Sequence, residues 1–284
     1  TLNKAKRKKL YTEDYNYFSK LNIKETYSNK KILTENDINT LFEITDWKNK
    51  FYDTKNMLLL SVFASGLRVS DIFFIRNKDF RKEYLEVIMK KNMRPLRIPY
   101  NEKLIDLLLL IYQQEYLDAS KYLSEEEEEE LGYAYAVSTS LDFRQNKHKE
   151  IGTLERLLKH ITTLPHNDYM FKDFMKHEPS LENYDKKREL TEEQDTALGR
   201  LRGRYNMSLK LMIKKLDLDI ENISSHTGRY SWTNMLIDMG VNILEISRSL
   251  GHKRISITER YLEKNFGLEK MENIGSKLSD KFIV

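Results

Sequence analysis

Between His226 and Leu262 helix-stopping residues recur so closely that only short helices joined by sharp turns fit there. A first helix running from His226 is closed by Gly240, because glycine takes the left-handed closing conformation at little cost. Asn242 to Leu250 reads as a second helix, stopped by Gly251. Ser256-Ile257-Thr258-Glu259 reads as a capping box that opens a third helix and places Tyr261 in its second turn. His226 and Arg229 are three residues apart, so on one helix they share a face. Three short helices with abrupt ends can gather His226, Arg229, His252 and Tyr261: two imidazoles, a guanidinium and a phenol. Each device is common by itself, and a lone tyrosine is more often a surface or core residue than a nucleophile.

The rest of the chain reads as a helical body with one interruption. Thr34 is an N-cap for a helix whose apolar face is Ile38, Leu41, Phe42 and Ile44. A second helix through Met57–Phe63 is almost wholly apolar, which predicts burial on all sides. It breaks at Ser65-Gly66; Arg68 follows, then an amphipathic turn with Asp71, Ile72 and Phe74. Tyr84 to Lys91 alternates, with Leu85, Val87 and Met89 on one face, so it predicts a strand. Asn92 to Pro95 has turn chemistry, and Leu96 to Ile98 returns as a second strand ending at Pro99. Lys91 lies at the mouth of this hairpin. Register and distance to Pro99 favour it over its neighbour Lys90. Leu104 to Tyr116 predicts a buried helix. Thr191-Glu192-Glu193-Gln194 is a second capping box, opening a long helix to about Leu216 with Leu198, Leu201, Tyr205, Leu209 and Met212 on one side. Trp232 and Met235, at helical spacing, are expected in the core. The fold class is mainly α with a small antiparallel β-hairpin.

Charge is distributed unevenly. The net charge is +4, yet residues 115–199 hold 11 Lys/Arg and 20 Asp/Glu, including six consecutive glutamates at Glu125–Glu130. That is a balance of −9 in one segment against +13 for the remainder. A basic body suits a polyanion such as nucleic acid, although a lysine-rich soluble protein has the same balance. The 115–199 stretch is expected to be an acidic insert peripheral to the chemistry, limiting non-specific DNA contact or merely solvated. Residues 1–30 form a basic segment, expected as the end of a domain that lies upstream. The tail, with Met271, Ile274, Leu278 and Phe282 at three- and four-residue steps, predicts an amphipathic helix over about 268–284. The absence of cysteine excludes disulfides, thiolate zinc sites and cysteine catalysis. The spacing of His148, His160, His166 and His177 offers no two-histidine helical metal motif. No run approaches the length of a membrane span.

In order, the polar residues at structural punctuation points are Arg68, Lys91, His226, Arg229, His252 and Tyr261. They stand in Ser65-Gly66-Leu67-Arg68-Val69-Ser70-Asp71, on the hairpin before Pro99, in His226-Thr227-Gly228-Arg229, in Leu250-Gly251-His252, and nine residues after that histidine. In this order and spacing the chain resembles the tyrosine recombinases, or phage integrases, over about residues 34–266. It departs where such proteins often carry Leu-Arg-His and this chain has Gly228-Arg229-Tyr230.

The resemblance implies a recombinase catalytic domain at residues 31–284 and DNA strand cleavage by Tyr261 through a 3′-phosphotyrosine. It implies that Arg68 and Arg229 hold the phosphate, that His252 donates to it, that His226 assists proton transfer, and that Lys91 protonates the departing 5′-oxygen. The physics of those residue types agrees: phosphoryl transfer gathers charge on non-bridging oxygens, and guanidinium forks suit them. No metal or other cofactor is called for. Expected partners are double-stranded DNA, further copies of the chain on DNA as a dimer to tetramer, and accessory DNA-binding proteins, in a cytoplasmic setting and away from membranes. Integration or excision of a mobile element is the expected outcome. A type IB topoisomerase, a non-catalytic DNA-binding accessory protein and a helical interaction protein are the alternatives.

Overall fold

The structure, a computed structural model, describes residues 32–46, 48–91, 93–112, 152–182, 184–220, 222–252 and 254–262, with backbone only at 152, 153 and 260–262. The basic segment 1–30, the glutamate run and the tail therefore lie outside the described residues.

One helix organises the rest. α2 (Tyr52–Phe63) follows α1 (Glu35–Phe42) and buries every position from Thr54 to Val62. A helix apolar on all sides has to be surrounded, and α2 packs against α4 (Glu102–Ile111), α7 (Glu192–Lys215) and α8 (Thr227–Asp238). Its two ends are fastened by side chains. Tyr52 donates its hydroxyl to the Leu110 carbonyl, and Ser61 donates to the Leu67 carbonyl at 2.6 Å. After Ala64 the chain reverses through Ser65 and Gly66, which take φ of 56° and 65°. That left-handed pair ends the helix and delivers Arg68, in extended conformation, as the cap of the short α3 (Val69–Ile72).

The fold is mostly helical with a two-stranded antiparallel sheet, as expected. β1 (Tyr84–Met89) pairs with β2 (Arg94–Pro99), Leu85 opposite Ile98 and Val87 opposite Leu96. Leu85, Val87 and Met89 are the buried face of β1. β1 stops at Met89, so Lys90 and Lys91 belong to the connecting turn, closed by the Met93 amide donating to the Met89 carbonyl at 2.8 Å.

α7 agrees with its sequence pattern residue by residue. Thr191 and Gln194 form the reciprocal cap, and Leu198, Leu201, Tyr205, Leu209 and Met212 are buried along one side. The described part of the acidic stretch, by contrast, is not an appendage. Leu157 and Ile161 of α5 (Gly152–Thr163), Phe174 and Met175 of α6 (Lys172–Met175), and Tyr169, Met170, Phe171, Leu181 and Tyr184 all enter the main core. The Met170 amide donates to the Ile75 carbonyl at 2.8 Å, and Arg76 donates to the Tyr169 hydroxyl at 2.7 Å. Residues 152–184 are thus knitted to the chain that leaves Arg68. Of the expected insert at 115–199, residues 115–151, with Glu125–Glu130, lie outside the described residues.

α8 is followed by α9 (Ile243–Ser249) and α10 (Ser256–Leu262). Both glycine stops hold, with φ of 78° at Gly240 and 65° at Gly251. No helix among the described residues is long and apolar enough to cross a membrane.

Candidate active site

The site begins with how closely α8 approaches α2. A Cβ built on Gly228 would lie 2.6 Å from the Ser61 Cβ and 2.9 Å from the Leu58 carbonyl oxygen. Only a residue without a side chain lets the first turn of α8 lie that close. Arg229, next along, is thereby buried to 4% exposure and aimed at the turn after α2. Its Nη1 donates to the Gly66 carbonyl at 2.7 Å and its Nη2 to the Leu250 carbonyl at 2.7 Å. A buried cation needs such partners, since unpaired burial of a charge costs several kcal/mol or more. Arg229 therefore joins three segments distant in sequence. Trp232 covers the same turn: its ring and the Leu250 side chain lie 2.9 Å from where a Cβ on Gly66 would be.

His252 arrives by the end of α9. The Gly251 amide donates to the Arg248 carbonyl and the His252 amide to the Ser247 carbonyl, at 2.9 and 3.0 Å. This paired closure fixes where the histidine leaves the helix. His252 Nε2 then lies 3.0 Å from Arg229 Nη2, and its Nδ1 lies 2.8 Å from the Thr258 hydroxyl. Burial, followed by the charges of Arg229, Arg68 and Lys91, pushes the imidazole down to about 4. The ring is therefore neutral at ordinary pH, and all three cations are close enough to act on it.

Asp71 ties the two arms of this cluster. It is an acid inside a cationic site, with its side chain 1% exposed and its Oδ2 3.9 Å from Arg68 Nη1. That distance is too long for a hydrogen bond. The firm contact is elsewhere: Asp71 Oδ1 accepts from the Lys90 amide at 2.9 Å. The carboxylate thus fastens the hairpin turn to the α3 turn. Burial raises its pKa, while the Lys90 amide, Arg68, Arg229 and the Lys90 charge oppose that rise.

Arg229 and His252 meet at 3.0 Å, and the charges of Arg68 and Lys91 act on the same imidazole. Lys91 is exposed, whereas Lys90 is half-buried, with its Nζ 3.9 Å from Asp195 at the start of α7. Burial lowers the Lys90 pKa and the Asp195 charge opposes it. Of the two lysines, Lys91 is the one whose charge reaches His252.

His226 caps α8. α8 begins at Thr227, so His226 precedes the helix, and it is exposed where Arg229 is buried. Its ring centroid is 6.3 Å from that of Tyr230. His226 is in the αR region, with φ of −100° and ψ of −12°, and its carbonyl accepts from the Tyr230 amide at 2.9 Å, so its backbone continues the first turn of α8. Tyr261 lies on α10, whose backbone is described; its side chain lies outside the described atoms. α10 also starts differently from the sequence reading. Ser256 is inside the helix, and the Ile255 carbonyl accepts from the Thr258 and Glu259 amides at 2.7 and 3.0 Å.

Sequence reasoning missed Thr258, Gly228 and the carbonyls of Gly66 and Leu250. Thr258 was visible only as an inner position of a presumed cap. Gly228 stood out only as a departure from the expected motif. The carbonyls have no sequence signal at all. Among the described residues no group of three or more His, Asp or Glu is placed to hold a metal ion.

Residues 200–267 match the model of the phage integrase family. The match takes in about a quarter of the chain. The matched residues include Arg229, His252 and the α10 helix that carries Tyr261, while Arg68 and Lys91 lie outside them. No curated protein matches the chain. Among solved structures the chain is similar to the XerH site-specific recombinase bound to palindromic difH substrate in a post-cleavage complex, at 14% identity and a TM-score of 0.48. That likeness covers 89% of this chain and 55% of XerH, so the chain spans little more than half the length of that protein. It is also similar to the Tn1549 transposon integrase in complex with circular intermediate DNA, at 14% identity and a TM-score of 0.41, over 92% of this chain and 70% of the integrase.

Proposed function

We propose that the chain is the catalytic part of a tyrosine recombinase that cuts and rejoins double-stranded DNA in the integration or excision of a mobile element. The observation that carries this reading is the meeting of Arg229 and His252 at 3.0 Å inside the residues that match the phage integrase family model, with the charges of Arg68 and Lys91 acting on the same imidazole. A neutral imidazole under the influence of three cations, with the buried Asp71 carboxylate near Arg68, suits an anion with several equivalent oxygens.

A phosphodiester fits that site. The Tyr261 oxygen attacks phosphorus and forms the 3′-phosphotyrosine, and the bond to the 5′-oxygen breaks. Arg68 and Arg229 take the charge gathering on the non-bridging oxygens. Lys91, exposed at the tip of the hairpin, delivers a proton to the leaving 5′-oxygen. His226, exposed at the head of α8, assists removal of the phenolic proton. A free 5′-hydroxyl from the same or another duplex then reverses the step, so the phosphotyrosine conserves the bond. Assembly as a dimer to tetramer on DNA allows the exchange of strands between two sites.

The test is a nicked duplex whose short 5′-hydroxyl fragment diffuses away after cleavage, leaving a covalent protein–DNA adduct. Wild-type protein should accumulate that adduct, and Tyr261→Phe should form none while keeping its affinity for DNA. An adduct that persists in the variant would overturn the assignment of Tyr261. No adduct from wild-type protein on any integrating-element end would overturn the reading as a whole.

A further inference from the structure

We propose that Asn206 of α7 is a positioning residue for His226: its amide oxygen grips the backbone of the turn that carries this histidine and so sets where the imidazole stands. The turn is short and lies between two buried anchors. Ile223 is 4% exposed and Thr227 2%, while Ser224 and Ser225 are half-buried and His226 is exposed. Three bonds of the turn are local. The Ser224 amide donates to the Thr227 hydroxyl at 3.0 Å, the Thr227 amide to the Ser224 carbonyl at 2.9 Å, and the His226 amide to the Ser224 hydroxyl at 3.4 Å. Such bonds shape the turn without deciding where it sits on the body. The Ser225 amide reaches out of the turn: it donates to Asn206 Oδ1 at 2.8 Å, across 19 residues. A backbone N–H can only donate, so the roles in this contact are fixed and the accepting atom is the amide oxygen.

His226 is the residue after Ser225, and its own carbonyl accepts from the Tyr230 amide at 2.9 Å. The histidine backbone is thus held on one side by α8 and on the other by Asn206. The packing of α7 does not call for an asparagine at this position. Tyr205 and Leu209 supply buried contacts here, Asn206 is half-buried, and asparagine is a poorer helix former than leucine. What its side chain supplies is the acceptor. α7 also brings Asp195 to 3.9 Å from the Lys90 Nζ, so one helix borders both the hairpin turn and the His226 turn. The catalytic meaning of Asn206 rests on the recombinase reading, in which His226 assists removal of the phenolic proton; the hold on the turn does not.

The experiment compares the full chain with Asn206→Leu, which keeps the size and removes the acceptor, and with Asn206→Asp, which keeps an accepting oxygen. Amide hydrogen exchange read by NMR comes first. The Ser225 amide should be protected in wild type and in Asn206→Asp. In Asn206→Leu it should exchange about tenfold faster, the worth of one hydrogen bond, with the Leu209 and Met212 amides of α7 unchanged. Adduct formation on the nicked duplex comes second. Asn206→Leu should slow it about 10- to 100-fold, the scale of a catalytic group displaced by about an ångström, and Asn206→Asp should restore most of the rate. In a His226→Ala background the Leu substitution should change the rate less than about twofold, since no imidazole is left to misplace. A Ser225 amide that exchanges freely in wild type overturns the hold on the turn. Equal losses from Asn206→Leu with and without His226 overturn the positioning role, because a general loss of folded protein acts in both backgrounds. So does Asn206→Leu cutting at the wild-type rate, or an Asp variant that falls as far as Leu. If wild type forms no adduct, the recombinase reading fails, while hydrogen exchange still decides whether Asn206 holds the turn.

Discussion

The Asp71 Oδ1 accepts the Lys90 amide proton at 2.9 Å, so the acid of the Arg68 motif holds the backbone of the lysine-bearing hairpin. Asp71 is three residues from Arg68, and an ion pair on one helical turn is the obvious assignment. At 3.9 Å that pairing is loose, and the backbone contact is the one that positions. Replacing Asp71 by Ala leaves the Lys90 N–H unsatisfied and should cost about 1–3 kcal/mol in urea unfolding. Asp71→Asn keeps an oxygen there and should cost less. The pH dependence has a definite sign. Burial raises the Asp71 pKa in the fold, so the folded state holds this proton more tightly than the unfolded chain. The contribution of Asp71 is then fully present below the unfolded value and is lost as pH rises through the folded one. Asp71→Asn should remove that part of the slope.

His252 titrates in the opposite sense. Its folded value is pushed down to about 4 from 6.5, so between those values the unfolded chain binds the proton and the folded one does not. Stability from this group is present above the unfolded value and is lost as pH falls through that window. An NMR titration of the free protein should find the midpoint near 4. Binding a DNA phosphate beside Arg229 supplies negative charge and should move the midpoint upward. A midpoint at the ordinary histidine value in the free protein would show that neither burial nor the three cations act on the ring.

Gly228 is the narrowest point of the scaffold. The Gly228→Ala side chain would have to displace the Ser61 side chain or the Leu58 carbonyl, which lie 2.6 and 2.9 Å from the new carbon. The expected loss is about 1–3 kcal/mol of stability, as in other overpacked cores. Because Arg229 is the next residue, adduct formation should fall further than the loss of folded protein explains. A variant with wild-type melting and wild-type cleavage would show that α8 has room to move.

These residues mark where sequence reading succeeds and where it stops. The stripe of α7 and the alternation of β1 repeat with the period of one element, so every member was visible locally. The glycine stops at Gly240 and Gly251 were visible for the same reason. Arg229 meets the Gly66 carbonyl across 163 residues, and no local pattern encodes such a pairing. The His226–Arg229 spacing could not tell that the first would be exposed at the cap of α8 and the second buried. The acidic composition of 115–199 gave no sign of the aromatic residues that hold residues 169–184 to the core.

The last prediction separates the two adjacent lysines. Lys90 is half-buried, held through its backbone by Asp71 and set 3.9 Å from Asp195 through its side chain. Lys91 is exposed, and its charge reaches His252. A general acid must stand where the leaving oxygen departs, and its loss typically costs about 10²–10⁴ in rate. Lys91→Ala should show a loss of that size on ordinary DNA. The same variant should cleave nearly normally when the bridging 5′-oxygen is replaced by sulfur, because a thiolate departs without needing a proton. Lys90→Ala should lose much less on ordinary DNA, and the sulfur substrate should not correct whatever it loses. Sulfur rescue of Lys90→Ala in place of Lys91→Ala would exchange the two roles. Rescue of neither would remove the hairpin from proton transfer and leave it a purely electrostatic part of the site.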